Sequence, residues 1–242
     1  MASGRKFAVF DIDGTLIRWQ LYHALADALA KNSHIDAKTY AAIRDARMQW
    51  KQRSGLQSFS EYQVYVIKAY EETLLKLTPR ELEQAVDDVF NEYKDQVYIF
   101  TRGLIKQLKD DGYTLFAISG SQTEIIAKIA DYYGFDDYVA TEYTVKSGKL
   151  QKIFPAADKK KALMDLVKKH QVGFAESVAV GDSAGDIPML EDVEEPLVFN
   201  PDDELFKYAD EKSWKIIIER KNMVYELEKS SGKYQLVKTN VG

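Results

Sequence analysis

Four short apolar runs punctuate the chain: Phe7-Ala8-Val9-Phe10, Tyr113 to Ser119, Ser177 to Gly181 and Pro196 to Phe199. Each is continuous rather than alternating, the pattern of a strand buried on both faces. Segments with apolar residues at helical spacing separate them. Strands alternating with helices predict an α/β fold: a Rossmann-like, mostly parallel sheet with helices on both faces. In such sheets ligands gather at the carboxyl ends of the strands. The polar residues that follow those ends, Asp11, Ser119 and Asp182, are thereby expected along one edge.

The interval between the first run and the second is far longer than a crossover with its helix requires. Its content is helical. Leu21, Leu25 and Leu29 recur every fourth residue, as do Tyr62, Val66 and Tyr70. Thr78-Pro79-Arg80-Glu81 combines a Thr N-cap, Pro at the first helical position and Glu three residues on, which marks a helix start. Residues 18–98 therefore read as a small helical cap domain inserted into a core made of residues 1–17 and 99–242, with a helix around Gly103 to Asp110 as the return. Further on, Ser121-Gln122-Thr123-Glu124 reads as a capping box opening a helix to about Tyr133. Tyr143 to Leu150 reads as a hairpin turning at Ser147-Gly148, and the tail as a closing strand followed by a hairpin around Ser231-Gly232.

Composition narrows the chemistry. The chain has 242 residues, 45% hydrophobic and 29% charged, with no cysteine. Thiol nucleophiles, zinc–thiolate sites and disulfides are thus excluded, and any metal is expected on oxygen ligands. A net charge of −5 argues against nucleic acid and against a basic membrane-binding face, and favours small soluble partners. The apolar start, Phe7 to Phe10, is too short for a signal-peptide core, and no apolar run is long enough to span a bilayer. A cytoplasmic location is the expectation.

Asp11 and Asp13 stand two apart at a strand end, so in extended geometry both carboxylates face one side. Such a pair repels, which a divalent cation or a shared proton relieves. Gly14 permits the tight turn that follows. Ser119-Gly120 reads as a strand end running into a helix N-terminus, an anion-binding arrangement. Lys159, Lys160 and Lys161 precede an amphipathic helix, and one of them is a candidate for a phosphate. Gly181-Asp182 and Asp186 add two carboxylates after the third apolar run, with Asp186 placed to cap a helix. The same stretch matches G-x-S-x-G through Gly181, Ser183 and Gly185, but a serine-hydrolase order needs a His after the Ser, and His23, His34 and His170 all precede it. Surface or packing roles are the expectation for these three.

Taken together, Asp11-x-Asp13-Gly14-Thr15, Ser119, a basic Lys and Gly181-Asp182-x-x-x-Asp186 resemble the four signature motifs of the haloacid dehalogenase superfamily, in family order. The helical insert after the first motif resembles the cap of its phosphoserine phosphatase-like branch. The resemblance implies a phosphatase acting through an aspartyl-phosphate. Asp11 would be the nucleophile and Asp13 the acid and base. Mg²⁺ would be held by Asp11, the Asp13 backbone carbonyl and Asp182. Ser119, Gly120 and Lys159 would bind the phosphoryl oxygens, with Lys160 as the alternative lysine and Asp186 in support from behind. The substrate implied is a small phosphorylated metabolite; phosphoserine itself, a phosphotransfer reaction and a non-hydrolytic phosphate-binding role are the alternatives. Where phosphoserine phosphatases carry a Glu for the substrate amine, this chain has Gln20, and a neutral amide does not supply the same charge pairing. Trp19, Tyr22, Trp50, Tyr62 and Tyr65 are the aromatic positions that would shape a pocket or pack a core.

Overall fold

In β1 (Phe7–Phe10) every residue is buried, and alternate side chains serve opposite layers: Ala8 and Phe10 join one apolar cluster, Phe7 and Val9 the other. This division between two faces organises the computed structural model, which describes residues 5–55 and 58–241. After β1 come α1 (Leu21–Lys31), α2 (Ala37–Lys51), α3 (Ser58–Leu74), α4 (Pro79–Tyr93) and α5 (Ile99–Asp110). Then follow β2 (Thr114–Gln122), α6 (Thr123–Tyr133), β3 (Asp137–Lys146), β4 (Lys149–Ile153) and α7 (Lys159–His170). The chain finishes with β5 (Val178–Gly181), α8 (Ile187–Leu190), β6 (Glu195–Phe199), α9 (Asp203–Lys212), β7 (Lys215–Arg220), β8 (Met223–Ser230) and β9 (Lys233–Val241).

The strands form one nine-stranded sheet in the order β4-β3-β2-β1-β5-β6-β7-β8-β9. From β3 through β7 all neighbours are parallel, and the outer strands at both ends are antiparallel. Ile105 and Leu108 of α5 and Ile125, Ile126 and Ile129 of α6 pack on one face, while Leu163 and Leu166 of α7 and Leu205 of α9 pack on the other. The predicted α/β architecture with helices on both faces is thus the observed one. Both predicted hairpins are present: Ser147 and Gly148 turn at φ 51° and 72°, Ser231 and Gly232 at φ 51° and 77°.

Helices α1 to α4 lie between β1 and β2, and their two ends meet. Ile17 and Val97 form an antiparallel bridge, flanked by Arg18 N–H to the Gln96 carbonyl at 2.9 Å and Tyr98 N–H to the Leu16 carbonyl at 3.0 Å. Thr78 caps α4 reciprocally with Glu81, with Pro79 at its first turn, as its sequence predicts. Where the chain rejoins the sheet, Glu219 of β7 accepts the N–H groups of Ile99 and Phe100 at 3.1 and 2.9 Å, capping α5 from the sheet.

Two local expectations are corrected. Ser119 does not end its strand, and Ser121 does not open the following helix. After an irregularity between Ile118 and Gln122, β2 pairs again at Gln122 with Thr141, so α6 starts at Thr123 with Gln122 as an N-cap that makes no side-chain bond. Ser121 N–H is held by the Ser119 hydroxyl at 2.9 Å instead. The lysine triplet likewise forms the first turn of α7 rather than preceding it, because Asp158 takes the N-cap and accepts Lys161 N–H at 2.9 Å.

Candidate active site

The chain leaves β1 through a tight turn. Asp11 N–H still bonds the Val180 carbonyl of β5 at 2.9 Å, and Ile12 then accepts the N–H groups of Leu16 and Ile17 at 2.9 Å each. Gly14 occupies this turn at φ 87°, and a Cβ there would overlap the Asp182 carboxylate. The glycine is therefore needed both for its left-handed backbone and for the closeness of the two strand ends.

Lys159, at the start of α7, is buried and reaches under this edge. Its Nζ donates to Asp11 Oδ1 at 2.7 Å, Asp186 Oδ1 at 2.5 Å and the Ile118 carbonyl at 3.1 Å. Lys160 turns away to Asp192, at 2.7 Å on the exposed side. The triplet thus contributes one lysine to the site.

Asp186 is fully buried. Its second oxygen accepts the N–H groups of Asp182 and Ser183, both at 3.0 Å, and it forms a reciprocal capping box with Ser183. Gly181 makes room for this fold-back, since a Cβ there would overlap the Asp186 side chain. Carboxylate oxygens of Asp11, Asp182 and Asp186 lie within 4.8 Å of one another. The Asp13 carboxylate is not in that trio: Oδ1 accepts Leu21 N–H at 2.6 Å and Oδ2 accepts the Ser119 hydroxyl at 2.7 Å.

Electrostatics follow from this crowding. Burial pushes the Asp11 carboxyl above its ordinary range, and the charges of Asp186 and Asp13 add to the effect while Lys159 opposes it. Asp182 is raised by burial and by Asp11 and Asp186. Asp13 is raised by burial, against the bonds from Ser119 and Leu21. Burial works against the charge on Lys159, but Asp11 and Asp186 outweigh it and hold the ammonium protonated. Packed carboxylates whose ionised forms are disfavoured together are relieved by added positive charge. Oxygen donors alone, in a chain without cysteine, suit a hard cation such as Mg²⁺.

A cavity of about 670 Å³ opens above this edge, lined by Asp11, Asp13, Lys159, Asp182, Gly120 and Ser121 on the sheet side. Ser119 is fully buried beneath it, its hydroxyl committed to Asp13 and Ser121. The profile of the haloacid dehalogenase-like hydrolases matches residues 8–191, which takes in every one of these positions.

The chain belongs to the haloacid dehalogenase-like hydrolases.

Its relatives within that family include phosphoserine phosphatases. The phosphoserine phosphatase of Archaeoglobus fulgidus is 26% identical over 216 residues, spanning 85% of this chain and 56% of that protein. The histidinol-phosphatase of Neisseria meningitidis serogroup C is 24% identical over 231 residues, spanning 88% and 98%. A solved structure of a phospho-aspartyl intermediate analogue of phosphoserine phosphatase shares the fold with a TM-score of 0.58 at 21% identity, over 90% of this chain and 95% of that one.

The outer wall of this hydrolase's cavity holds residues that the sequence did not reveal. Tyr143, Lys152 and Phe154 reach it from the β3–β4 hairpin, which no motif marked. His23 also lines it and is almost fully buried, its ring centroid 4.7 Å from that of Tyr62. Burial among aromatic rings is the packing role expected of His23, at a position that also borders the cavity. His170 meets Asp137 at 2.6 Å, away from the cavity. Of the aromatic positions, Tyr62 is core, Tyr65 is exposed and Tyr22 lines the cavity.

Proposed function

We propose that this hydrolase cleaves phosphate monoesters of small metabolites, with Mg²⁺, by transient phosphorylation of Asp11. The observation that carries the reading is the buried Asp11 carboxylate held by Lys159 at 2.7 Å beside Asp182, at the carboxyl end of the central strands. On this reading residues 18–98 act as a cap domain over a core of residues 1–17 and 99–242.

Asp11 attacks phosphorus, and the ester P–O bond breaks. Asp13, raised by burial and therefore able to hold a proton, delivers it to the departing alkoxide. Asp13 then takes a proton from water, the water oxygen bonds phosphorus, and the bond from phosphorus to the Asp11 oxygen breaks to release phosphate. Lys159, Gly120 and Ser121 face the phosphoryl oxygens, while Ser119 orients Asp13 by donating to it. Asp11, Asp182 and the Asp13 backbone carbonyl would hold Mg²⁺, with Asp186 fixing Lys159 and the Asp182 backbone from behind. The bound ion supplies positive charge against the clustered carboxylates and the phosphate.

The test is phosphate release from p-nitrophenyl phosphate. Turnover is expected with Mg²⁺, to be abolished by a chelator and restored by added Mg²⁺; Asp11→Asn should fold normally and release nothing. Full activity in chelator, or in the Asp11→Asn protein, would refute the reading.

A further inference from the structure

An ester whose phosphorus meets Asp11 must run its leaving group outward from the strand ends into the cavity. The first large side chain beside that path is Phe154. A Cβ placed on Gly120 would lie 3.7 and 3.8 Å from two carbons of the Phe154 ring, so the ring stands over this glycine in ordinary contact. Phe154 is still 43% exposed and lines the cavity.

The insert contributes a second apolar surface. Phe59, Gln63 and Ile67 of α3 recur every fourth residue, which places them on one stripe of the helix, and all three line the cavity. They are half-buried, whereas the adjacent stripe of Tyr62, Val66 and Tyr70 is fully buried in the core. Glu71 stands one turn beyond Ile67 and accepts the Tyr143 hydroxyl at 3.1 Å and Lys152 Nζ at 3.0 Å, both from the β3–β4 hairpin. Lys152 is two residues before Phe154, and its Nζ lies 5.3 Å from the centre of that ring. The stripe on α3 and the ring on the hairpin are thereby tied together around one cavity.

Resting on the phosphatase reading above, we propose that Phe154, Phe59 and Ile67 select the leaving group: the substrates are phosphate monoesters of alcohols that carry an aromatic or similarly bulky apolar body, and Phe154 is the specificity-determining residue next to the phosphoryl site. Such a body leaves water for apolar side chains, a gain roughly proportional to the area buried. A ring against Phe154 adds the offset or edge contact that aromatic pairs prefer. Gln63, between Phe59 and Ile67, offers an amide to a polar substituent on that body. A cavity of about 670 Å³ suits a leaving group of this size, whereas a short polar alcohol would fill little of it.

The experiment compares kcat/KM of the full chain with Mg²⁺ for ethyl phosphate, phenethyl phosphate, glycerol 2-phosphate and phosphoethanolamine, with p-nitrophenyl phosphate as the generic substrate. Ethyl and phenethyl phosphate release primary alcohols of similar acidity, so their ratio reads the ring rather than the ease of breaking the P–O bond. Phenethyl phosphate is expected to exceed ethyl phosphate about a hundredfold. Phe154→Ala and Ile67→Ala should each cut that ratio about tenfold, and Phe154→Tyr, which keeps the ring, should retain most of it. A merely structural defect would lower both esters together and leave the ratio unchanged. Equal kcat/KM for the two esters, or a ratio unmoved in both alanine variants, would overturn this proposal. So would a preference for glycerol 2-phosphate or phosphoethanolamine over phenethyl phosphate, the latter pointing to the Asp202 carboxylate, which also lines the cavity, as the selecting group. In each of these cases p-nitrophenyl phosphate turnover leaves the phosphatase reading intact, and a wild-type protein inactive on every ester would overturn both.

Discussion

Asp13 holds Leu21: its Oδ1 accepts the Leu21 N–H at 2.6 Å, so a carboxylate of the sheet edge sits at the N-terminus of the first helix of the insert. Gln20, the N-cap position, makes no side-chain bond, which leaves Asp13 to satisfy an end that would otherwise be open. The proposed acid and base is therefore also a structural tie. We expect Asp13→Asn to keep that tie and lose about 10²- to 10⁴-fold in kcat. Asp13→Ala should lose the same activity and about 1 kcal/mol of stability besides. Steady-state kinetics and thermal melts of the two variants separate the roles.

Neighbouring lysines should behave as opposites. Lys159→Met leaves Asp11 and Asp186 buried without their cation, and breaking such a pairing costs about 3–5 kcal/mol. Lys160→Ala removes only an ion pair on the surface side, worth about 0–1 kcal/mol. Denaturant titration of both, alongside turnover, checks the difference, and comparable losses would contradict the placement of Lys159.

Two glycines test closeness against backbone shape. Gly14 and Gly112 adopt φ 87° and 79°, but a Cβ on Gly14 meets Asp182 whereas one on Gly112 has open space. Gly112→Ala should cost about 1–2 kcal/mol for its left-handed backbone alone and leave turnover unchanged. Gly14→Ala should cost more, displace Asp182 and weaken Mg²⁺ binding, read as a higher Mg²⁺ concentration for half-maximal activity or a smaller thermal shift on adding Mg²⁺.

His23 makes stability depend on pH in a defined window. Its pKa falls from 6.5 to about 4 because burial, and secondarily Arg47, disfavour the imidazolium. Above pH 6.5 both folded and unfolded chains hold it neutral and the stabilisation is complete. As pH drops towards 4 the unfolded chain takes up a proton that the folded one refuses, so stability falls by up to about 3 kcal/mol. Urea titrations from pH 7.5 down to pH 4 should show this loss in the wild type relative to His23→Phe; parallel curves would contradict it.

The sheet and its chemical edge were legible because local pattern and chemistry agree there. Phe7 to Phe10 can only be a buried strand, and Asp11, Asp182 and Lys159 lie at element ends that the pattern itself defines. Ser119 shows where legibility stops. Its neighbours Gly120 and Ser121 resemble a strand-to-helix turn, but β2 resumes pairing at Gln122 opposite Thr141, a choice made by a partner strand and invisible in local sequence. His23 shows the same limit: its place on α1 marks it as buried, while its position beside a cavity depends on Phe59 and on a hairpin more than a hundred residues away. Lys152 and Phe154 gave no signal, since both simply follow an ordinary Ser-Gly turn.

The bridge between Ile17 and Val97 places the two ends of the insert side by side. A chain that departs from and returns to one spot can exchange everything in between without altering strand order on either side. Asp11, Asp13, Asp182 and Lys159 all lie outside that stretch, and Tyr22, His23, Phe59 and Gln63 inside it. On the proposed function, bond breaking rests on residues outside the insert while four residues inside it border the cavity, so the insert can change above a retained set of reacting groups.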